Sequence, residues 1–305
     1  MFASRNSFLA GSGTKPNVPT IGTATATGST TATVAYTAPT YDGGSPITSY
    51  TATSSPSGIT GTISQAGSGT ITVSGLSAGT TYTFTVTATN IIGTSNASSA
   101  SNSIVTVPVI GQSFQGGYYG GAISTTANGV ATHYLVVSPK AFGEGSYQFA
   151  TSGSSDPTSF INGPANSSTM NNANHPAAQF CEGLTIGGYS DWYLPARDEL
   201  HTLYYFLKPD TSLNDTSSGY NDYAVSPQPI STNYTTSDPA RTSVLIFRSS
   251  GGGGSEYFES VGVYWTSTQS SSSEARTMRF SNGQSSGVDV KTTTNYVRAI
   301  RRVAV

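Results

Sequence analysis

The chain has 305 residues, of which only 9% are charged, and a formal net charge of −2, far below the roughly 25% charged content of an ordinary soluble domain. Ser and Thr together number 93 and Gly 34, so hydroxyls and backbone supply much of the solvated surface, a composition suited to β-rich extracellular or virion proteins. That balance leaves no electrostatic footprint for nucleic acid or for an anionic membrane, and the single cysteine, Cys181, excludes an intrachain disulfide.

Residues 1–15 read as an N-terminal arm. Phe2, Phe8 and Leu9 are apolar but form no run of the roughly 7 to 15 apolar residues that a signal peptide requires. Pro16 and Pro19 disfavour helix at the end of this segment. No stretch approaches the roughly 20 apolar residues of a membrane span, so membrane insertion is not expected. A virion protein released by lysis needs no export signal; an exported protein would carry one outside this sequence. Up to Pro108 the only charged residues are Arg5, Lys15 and Asp42. This asymmetry predicts two domains of different origin, 16–108 and 109–305, joined by a brief linker.

From 16 to 108, short alternating segments are separated by turn signals, the pattern of an antiparallel sandwich. Ala32, Val34 and Tyr36 alternate with polar residues, as do Ile71 and Val73, and then Tyr82, Phe84, Val86 and Ala88. Thr at 81, 83, 85, 87 and 89 favours strand while facing water. The run from Val34 to Pro39, the following Gly43-Gly44-Ser45-Pro46, and the segment Gly75 to Tyr82 together resemble a fibronectin type III domain. The resemblance implies a seven-stranded Ig-like sandwich acting as spacer or binding module. It also implies a corner in which Leu76 and Tyr82 tie the Tyr hydroxyl back to the backbone, and a core position for Tyr36 where the family has Trp.

Beyond 109 the spacing predicts a strand over 131–137, an Asn-rich loop over 162–174 and a helix over 175–184. A second helix opens at Arg197-Asp198-Glu199, with Leu200, Leu203, Tyr204 and Leu207 at helical spacing before Pro209. Strands are expected over 244–248, 262–267, 274–280 and 296–303. The segment 187–200, with Asp191-Trp192-Tyr193-Leu194-Pro195 at its centre, resembles the hallmark of the Lcl C-terminal family, also called domain of unknown function 1566. Tyr264-Trp265-Thr266-Ser267, Phe280-Ser281-Asn282-Gly283 and Tyr296-Val297-Arg298-Ala299-Ile300-Arg301 follow in the family's order. The resemblance implies an α+β C-type-lectin-like fold and attachment to glycans or other polymers on bacterial surfaces or virions. A long polar insertion around 209–258 departs from the family's short form.

Trp192 and Trp265 are expected to be scaffold, with their indole N–H groups bonded internally. Arg298, Arg301 and Arg302 sit on the terminal segment, where a salt bridge from one of them to Glu199 or Asp198 is expected. Asp191, Asp198 and Glu199 do not establish the paired-carboxylate geometry of glycoside hydrolysis, so no enzyme activity is expected. His133, His175 and His201 lack metal-ligand spacing and read as surface or loop histidines. Neither a metal, a calcium site nor a cofactor is predicted.

Specificity is expected on loops that interrupt the scaffold: 212–236, 249–258, 269–274 and 281–287. Tyr220, Tyr223 and Tyr234 are the stacking candidates, and Asn221, Asn233 and Asn282 the hydrogen-bonding ones, by analogy with the Tyr, Ser, Asn and Gly of antibody binding loops. The expected function is a phage virion structural protein, a fibre, tail or head appendage. It would dock to other virion proteins through its arm and adhere to a host-surface polysaccharide or protein, as a homo-oligomer, with a trimer favoured. The alternatives are a secreted or surface-anchored bacterial adhesin, and a purely structural decoration protein of the virion.

Overall fold

The computed structural model describes residues 13–249 and 255–305, so most of the expected arm lies outside the described residues. The chain divides into two compact units, 1–109 and 110–305. Strands predominate in both, and none of the described helices is long and apolar enough to cross a membrane.

Among the described residues the first unit contains seven strands: β1 (Thr20–Ala26), β2 (Thr31–Thr37), β3 (Ser49–Ser55), β4 (Thr60–Ile63), β5 (Gly69–Ser74), β6 (Thr81–Thr89) and β7 (Ile104–Val105). They form two sheets, ordered β1-β2-β5 and β4-β3-β6-β7, with antiparallel neighbours throughout. Alternation does the sorting, because successive side chains of a strand point to opposite faces. Val34, Tyr36, Tyr50, Ile71, Phe84 and Val86 all enter one core, each contributing about 1.5–3 kcal/mol on full burial. The Tyr36 and Tyr50 rings lie 4.2 Å apart, and their hydroxyls reach out to the carbonyls of Gly67 and Ala66 at 3.1 and 2.9 Å. Tyr82 accepts a 3.0 Å bond from the Ser77 N–H, with Leu76 buried beside it.

Strand β7 pairs with β6 only at Thr81 and Tyr82. The rest of that edge is satisfied by serines at every third position. The N–H groups of Ser95, Ser98 and Ser101 donate to the carbonyls of Ala88, Val86 and Phe84 at 2.8 to 3.0 Å. Their hydroxyls accept from the N–H groups of those same three residues at 2.9 to 3.0 Å. Each hydroxyl then donates to the carbonyl of the residue that follows it, at 2.7 to 2.8 Å. One serine thus serves both backbone groups of one strand residue, and the period of three is that of a polyproline-like chain.

Among the described residues the second unit has nine strands: β8 (Ser113–Phe114), β9 (Gly117–Ile123), β10 (His133–Val137), β11 (Glu144–Gln148), β12 (Val263–Gln269), β13 (Glu274–Arg279), β14 (Val288–Val290), β15 (Thr294–Arg298) and β16 (Ile300–Ala304). Its helices are α1 (Lys140–Gly143), α2 (Gly163–Thr169), α3 (Pro176–Glu182) and α4 (Arg197–Leu207). One sheet runs β16-β10-β9-β8 and the other β11-β15-β12-β13-β14; β12 and β15 are parallel at their single pairing, Tyr264 with Tyr296. Helix α4 presents Leu200, Leu203, Tyr204 and Leu207 to a core shared with Leu135, Val137, Tyr264, Phe280 and Ile300.

Four expectations change here. The single strand expected over 296–303 breaks at Ala299 into β15 and β16, which join different sheets. The Asn-rich segment contains α2: Asn162 accepts from the Ala165 N–H, Pro164 sits in the first turn, and the buried Asn166 and Ser167 bond to the Ser159 carbonyl and the Leu194 N–H. A helix buried through polar side chains has no apolar period to detect. Residues 244–248 form a 3-10 turn at Leu245–Phe247, not a strand. The polar insertion is not wholly given to recognition loops, because among its described residues Ala224, Tyr234, Phe247 and Phe258 are buried.

Replacing Ser98 by Ala should lower the stability of the first unit by about 1–3 kcal/mol, because the Val86 N–H loses its partner. Ser99→Ala, at an exposed neighbouring position, should leave it within about 0.5 kcal/mol. Denaturant titration of both variants checks the difference.

Candidate functional site

Helix α4 begins where the sequence places acidic residues against the positive end of the helix dipole. The Glu199 carboxylate is fully buried and accepts from the Ala196 N–H at 2.8 Å and from Arg302 Nε at 2.7 Å; it also accepts from the Tyr193 hydroxyl. Alanine offers no side-chain acceptor, so this is half of a capping box, supplied by the helix alone. Gly163 is required beside it, since a Cβ there would lie 2.0 Å from Glu199 Oε2.

The neighbouring turn of α4 forms one wall of a pocket of about 160 Å³. Arg197 and His201 come from α4, and Arg276 comes from β13. Arg197 and Arg276 both lie against the Phe160 ring, with guanidinium carbons 3.7 and 5.1 Å from its centroid. The Asp198 N–H fixes this aromatic by donating to the Phe160 carbonyl at 2.9 Å. Residues 217–220 and Ser285-Ser286 complete the rim. The two segments are tied together: the Ser218 hydroxyl accepts from the Ser285 N–H at 3.1 Å. Gly219 adopts φ +100° against the Tyr234 ring, where a Cβ would come within 2.5 Å.

The charges are unequally answered. Asp198 Oδ1 accepts from Arg197 Nε at 2.7 Å, and burial pushes the Asp198 carboxyl up to about 6 despite that bond. Arg276 has no ion pair among the described residues. Burial first, and then the charge of Arg197, lower its pKa. His201 is 1% exposed, and burial, helped by Arg197, pushes it down to about 3. The Tyr220 backbone favours its charged form slightly. Still, no protein group among the described residues completes a hydrogen bond to either His201 nitrogen or to Arg276 Nε; Asp198 Oδ1 stands 3.6 Å from Nδ1, beyond hydrogen-bond reach. The pocket is therefore lined by two cations and a neutral imidazole, with the Asp198 carboxylate bonded to Arg197 beside it.

Comparison with known families assigns both halves of the sequence. Residues 17–104 match the fibronectin type III domain, and residues 155–301 match the Lcl C-terminal domain. The chain carries a fibronectin type III domain followed by an Lcl C-terminal domain. No curated protein matches it. Similar solved structures include domains from titin, 28% identical over 31% of this chain and 33% of that one, with a TM-score of 0.28. Titin kinase with its flanking domains is 26% identical over 30% of this chain and 17% of that one, TM-score 0.26. The twitchin kinase region from C. elegans is 23% identical over 31% and 17%, TM-score 0.27. The chain spans about a third or less of the length of these structures.

The pocket belongs to the Lcl C-terminal domain, and of the six residues expected to bind ligand only Tyr220 lines it. Tyr220 is 50% exposed. Asn221 is instead fully buried, donating to the Asp198 carbonyl at 3.1 Å and accepting from the Tyr223 N–H at 2.9 Å. Tyr234 is a core residue whose hydroxyl donates to the His201 carbonyl at 3.2 Å. Tyr223 packs against the same core, Asn233 is exposed away from the pocket, and Asn282 closes its own turn by accepting from the Gln284 N–H at 3.1 Å.

The scaffold residues of the Lcl domain are spent internally. Trp192 and Trp265 are buried and donate to the carbonyls of Tyr189 and Tyr147, both at 3.0 Å. Leu194, Pro195 and Leu200 are buried around the start of α4. Arg298 bridges Glu144 and Glu256 at 3.0 Å each, Arg301 grips both oxygens of Asp191 at 2.6 and 2.9 Å, and Arg302 takes Glu199. His175 and His201 are buried rather than surface residues: His175 precedes α3 and contacts Asp156 at 2.9 Å. Sequence reasoning passed over Arg276 and read His201 as a surface residue, because the two belong to different elements and form no motif.

Two outcomes follow from this placement. Tyr234→Ala should destabilise the Lcl domain by about 3 kcal/mol or more as a core truncation, whereas Tyr220→Ala should change stability by about 0.5 kcal/mol at most; thermal melts separate them. The second concerns pH. His201 stays neutral in the folded chain down to about 3 but takes a proton near 6.5 when unfolded. The unfolded state therefore binds more protons across that window, and its contribution to stability falls as pH drops from about 7 toward 3. Asp198, raised in the fold, acts in the opposite direction below about 6. His201→Gln should thus gain stability relative to wild type as pH falls from 7 to 4, read from denaturant midpoints.

Proposed function

We propose that the chain is a non-enzymatic adhesin of a phage virion, in which the fibronectin type III domain is the spacer and the Lcl C-terminal domain, with a C-type-lectin-like fold, meets a polysaccharide on the host surface. The observation that carries this reading is the pocket beside α4, which gathers two arginines, a buried imidazole and a half-exposed tyrosine on a chain otherwise poor in charge. Polar groups converging on a concave site with an aromatic at its mouth are what ligand recognition uses.

The hydroxyl-rich, weakly charged surface supports exposure outside a cell, where repulsion by bulk charge is not needed for selectivity. Attachment through one small pocket per chain is weak, and linking copies raises avidity without new contacts. The adhesin therefore acts as a homo-oligomer, with a trimer the simplest fibre arrangement, fixed to other virion proteins by its N-terminal arm.

An antibody raised against the chain should decorate purified phage particles in electron micrographs and block their adsorption to host cells. Labelling of a bacterial surface with none on particles would instead favour a bacterial adhesin. Decoration of particles without any effect on adsorption would favour a purely structural virion component.

A further inference from the structure

We propose that the groove at the β2–β3 loop of the first unit binds an amine-bearing sugar, the 2-amino-2-deoxyhexose unit of a deacetylated amino-sugar polymer. This gives a ligand to the domain otherwise read as a spacer, and it does not depend on the pocket beside α4. The groove encloses about 370 Å³, within the roughly 300–1,000 Å³ of small-molecule sites. Pro39, Tyr41, Asp42, Pro46 and Ile47 line it from the loop, and Ala66 from the turn between β4 and β5. The loop is held before any ligand arrives. Asn90 Nδ2 donates to the Asp42 carbonyl at 2.7 Å and to the Thr14 carbonyl at 2.8 Å. Gly43, at φ +84°, admits the Thr14 backbone where a Cβ would lie 2.0 Å from its carbonyl oxygen. Tyr41 is nonetheless 51% exposed, a rigid amphipathic contact surface on a fixed support.

The charges set the sign of the ligand. Among the described residues of the first unit only Lys15 and Asp42 are charged, and Lys15 Nζ donates to Asn96 Oδ1 at 2.9 Å. The carbonyls of Tyr41 and Gly43 accept from the N–H groups of Asn17 and Thr14, and the Ala66 carbonyl accepts from the Tyr50 hydroxyl. Asp42 Oδ1 accepts from the Gly44 N–H at 2.8 Å. The second oxygen of this half-buried carboxylate accepts from no protein group among the described residues. A carboxylate beside an aromatic ring suits an ammonium, through a charge-assisted hydrogen bond and attraction to the ring face. One exposed ion pair is worth only about 0–1 kcal/mol, so the cation must bring apolar surface to the exposed Tyr41, Pro46 and Ala66. An amino sugar carries both on one stiff ring. A lysine side chain carries both as well, but has about 2 kcal/mol of rotamer entropy to lose, which ranks a basic peptide below the sugar.

The test is calorimetric titration of the full chain with a glucosamine trimer, its N-acetylated counterpart, cellotriose and a trilysine peptide, in mildly acidic buffer where the sugar amines carry protons. Saturable binding of the glucosamine trimer is expected, weakened by added salt, with at least about tenfold weaker binding of the other three probes. Asp42→Asn should weaken the glucosamine trimer at least about tenfold. Its side-chain carbonyl still accepts from the Gly44 N–H, so the loop is kept and the variant should melt with the wild type. Tyr41→Ala removes an exposed ring and should cost at least about tenfold for the same probe, which keeps the site testable should either variant melt early.

Absence of saturable binding of the glucosamine trimer would overturn the proposal, as would an unchanged affinity in Asp42→Asn or in Tyr41→Ala. Equal binding of the N-acetylated trimer or of cellotriose would overturn it in favour of a neutral-sugar groove. Equal or tighter binding of trilysine would overturn it in favour of a surface for basic peptides.

Discussion

The buried carboxylate of Glu199 is the tie on which the second unit depends. Its two oxygens join the first turn of α4, the Tyr193 hydroxyl and the guanidinium of Arg302 on the last strand. Arg302 in turn donates to the Ile161 carbonyl just before α2. Segments separated by more than a hundred residues are thereby held to one helix end. A carboxylate without exposure is costly unless it is paired and hydrogen-bonded, and here three hydrogen bonds, one of them from a guanidinium, reach its two oxygens. Removing Arg302 would leave that charge uncompensated, so the bond constrains the sequence at both ends of the domain. Because α4 is oriented by Glu199, the neighbouring residues Arg197, Asp198 and His201 are aimed by the same constraint.

A chain with 28 charged residues in 305 would be expected to spend them on solubility. Many are instead internal. Arg298 is 1% exposed between Glu144 and Glu256, and Lys291 is equally buried against Asp156. Asp156 is held below the ordinary carboxylate range, where hydrogen bonds from Lys291 and Ser154 outweigh its burial. Such pairs stabilise little in net terms, yet breaking one costs about 3–5 kcal/mol, so they fix register more than they add stability. Lys208, buried without an ion pair, is held instead by the Asn214 side chain at 2.7 Å and by neighbouring carbonyls.

The first unit was legible because its physics is local. A period of two, β-branched residues on the outer face and turn glycines all point to the same sandwich, and Tyr82 lies within reach of the backbone it closes. Helices α3 and α4 were legible for the same reason, through Pro176 and the Leu200-Leu203-Tyr204-Leu207 stripe. What escaped was structure held by polar burial. Asn166 and Ser167 give α2 no apolar signature, and Asn221 and Tyr234 look like loop recognition residues until their partners on α4 are seen. Composition alone cannot tell an asparagine that binds a ligand from one that fastens a loop. The break at Ala299 escaped as well, because a strand that changes sheets keeps its alternation on either side.

The serine ladder along β6 has a consequence for crowding. A sandwich normally ends in a row of open backbone groups on which a neighbouring chain can build another strand. Serines 95, 98 and 101 occupy both the donors and the acceptors of that row, and they come from a segment whose period of three cannot template a strand of period two. This flank of the domain is therefore closed to propagation, without the lysines that usually guard such edges. In a unit that carries almost no charge, hydroxyls on this one edge do by hydrogen bonding what charged side chains do elsewhere by repulsion.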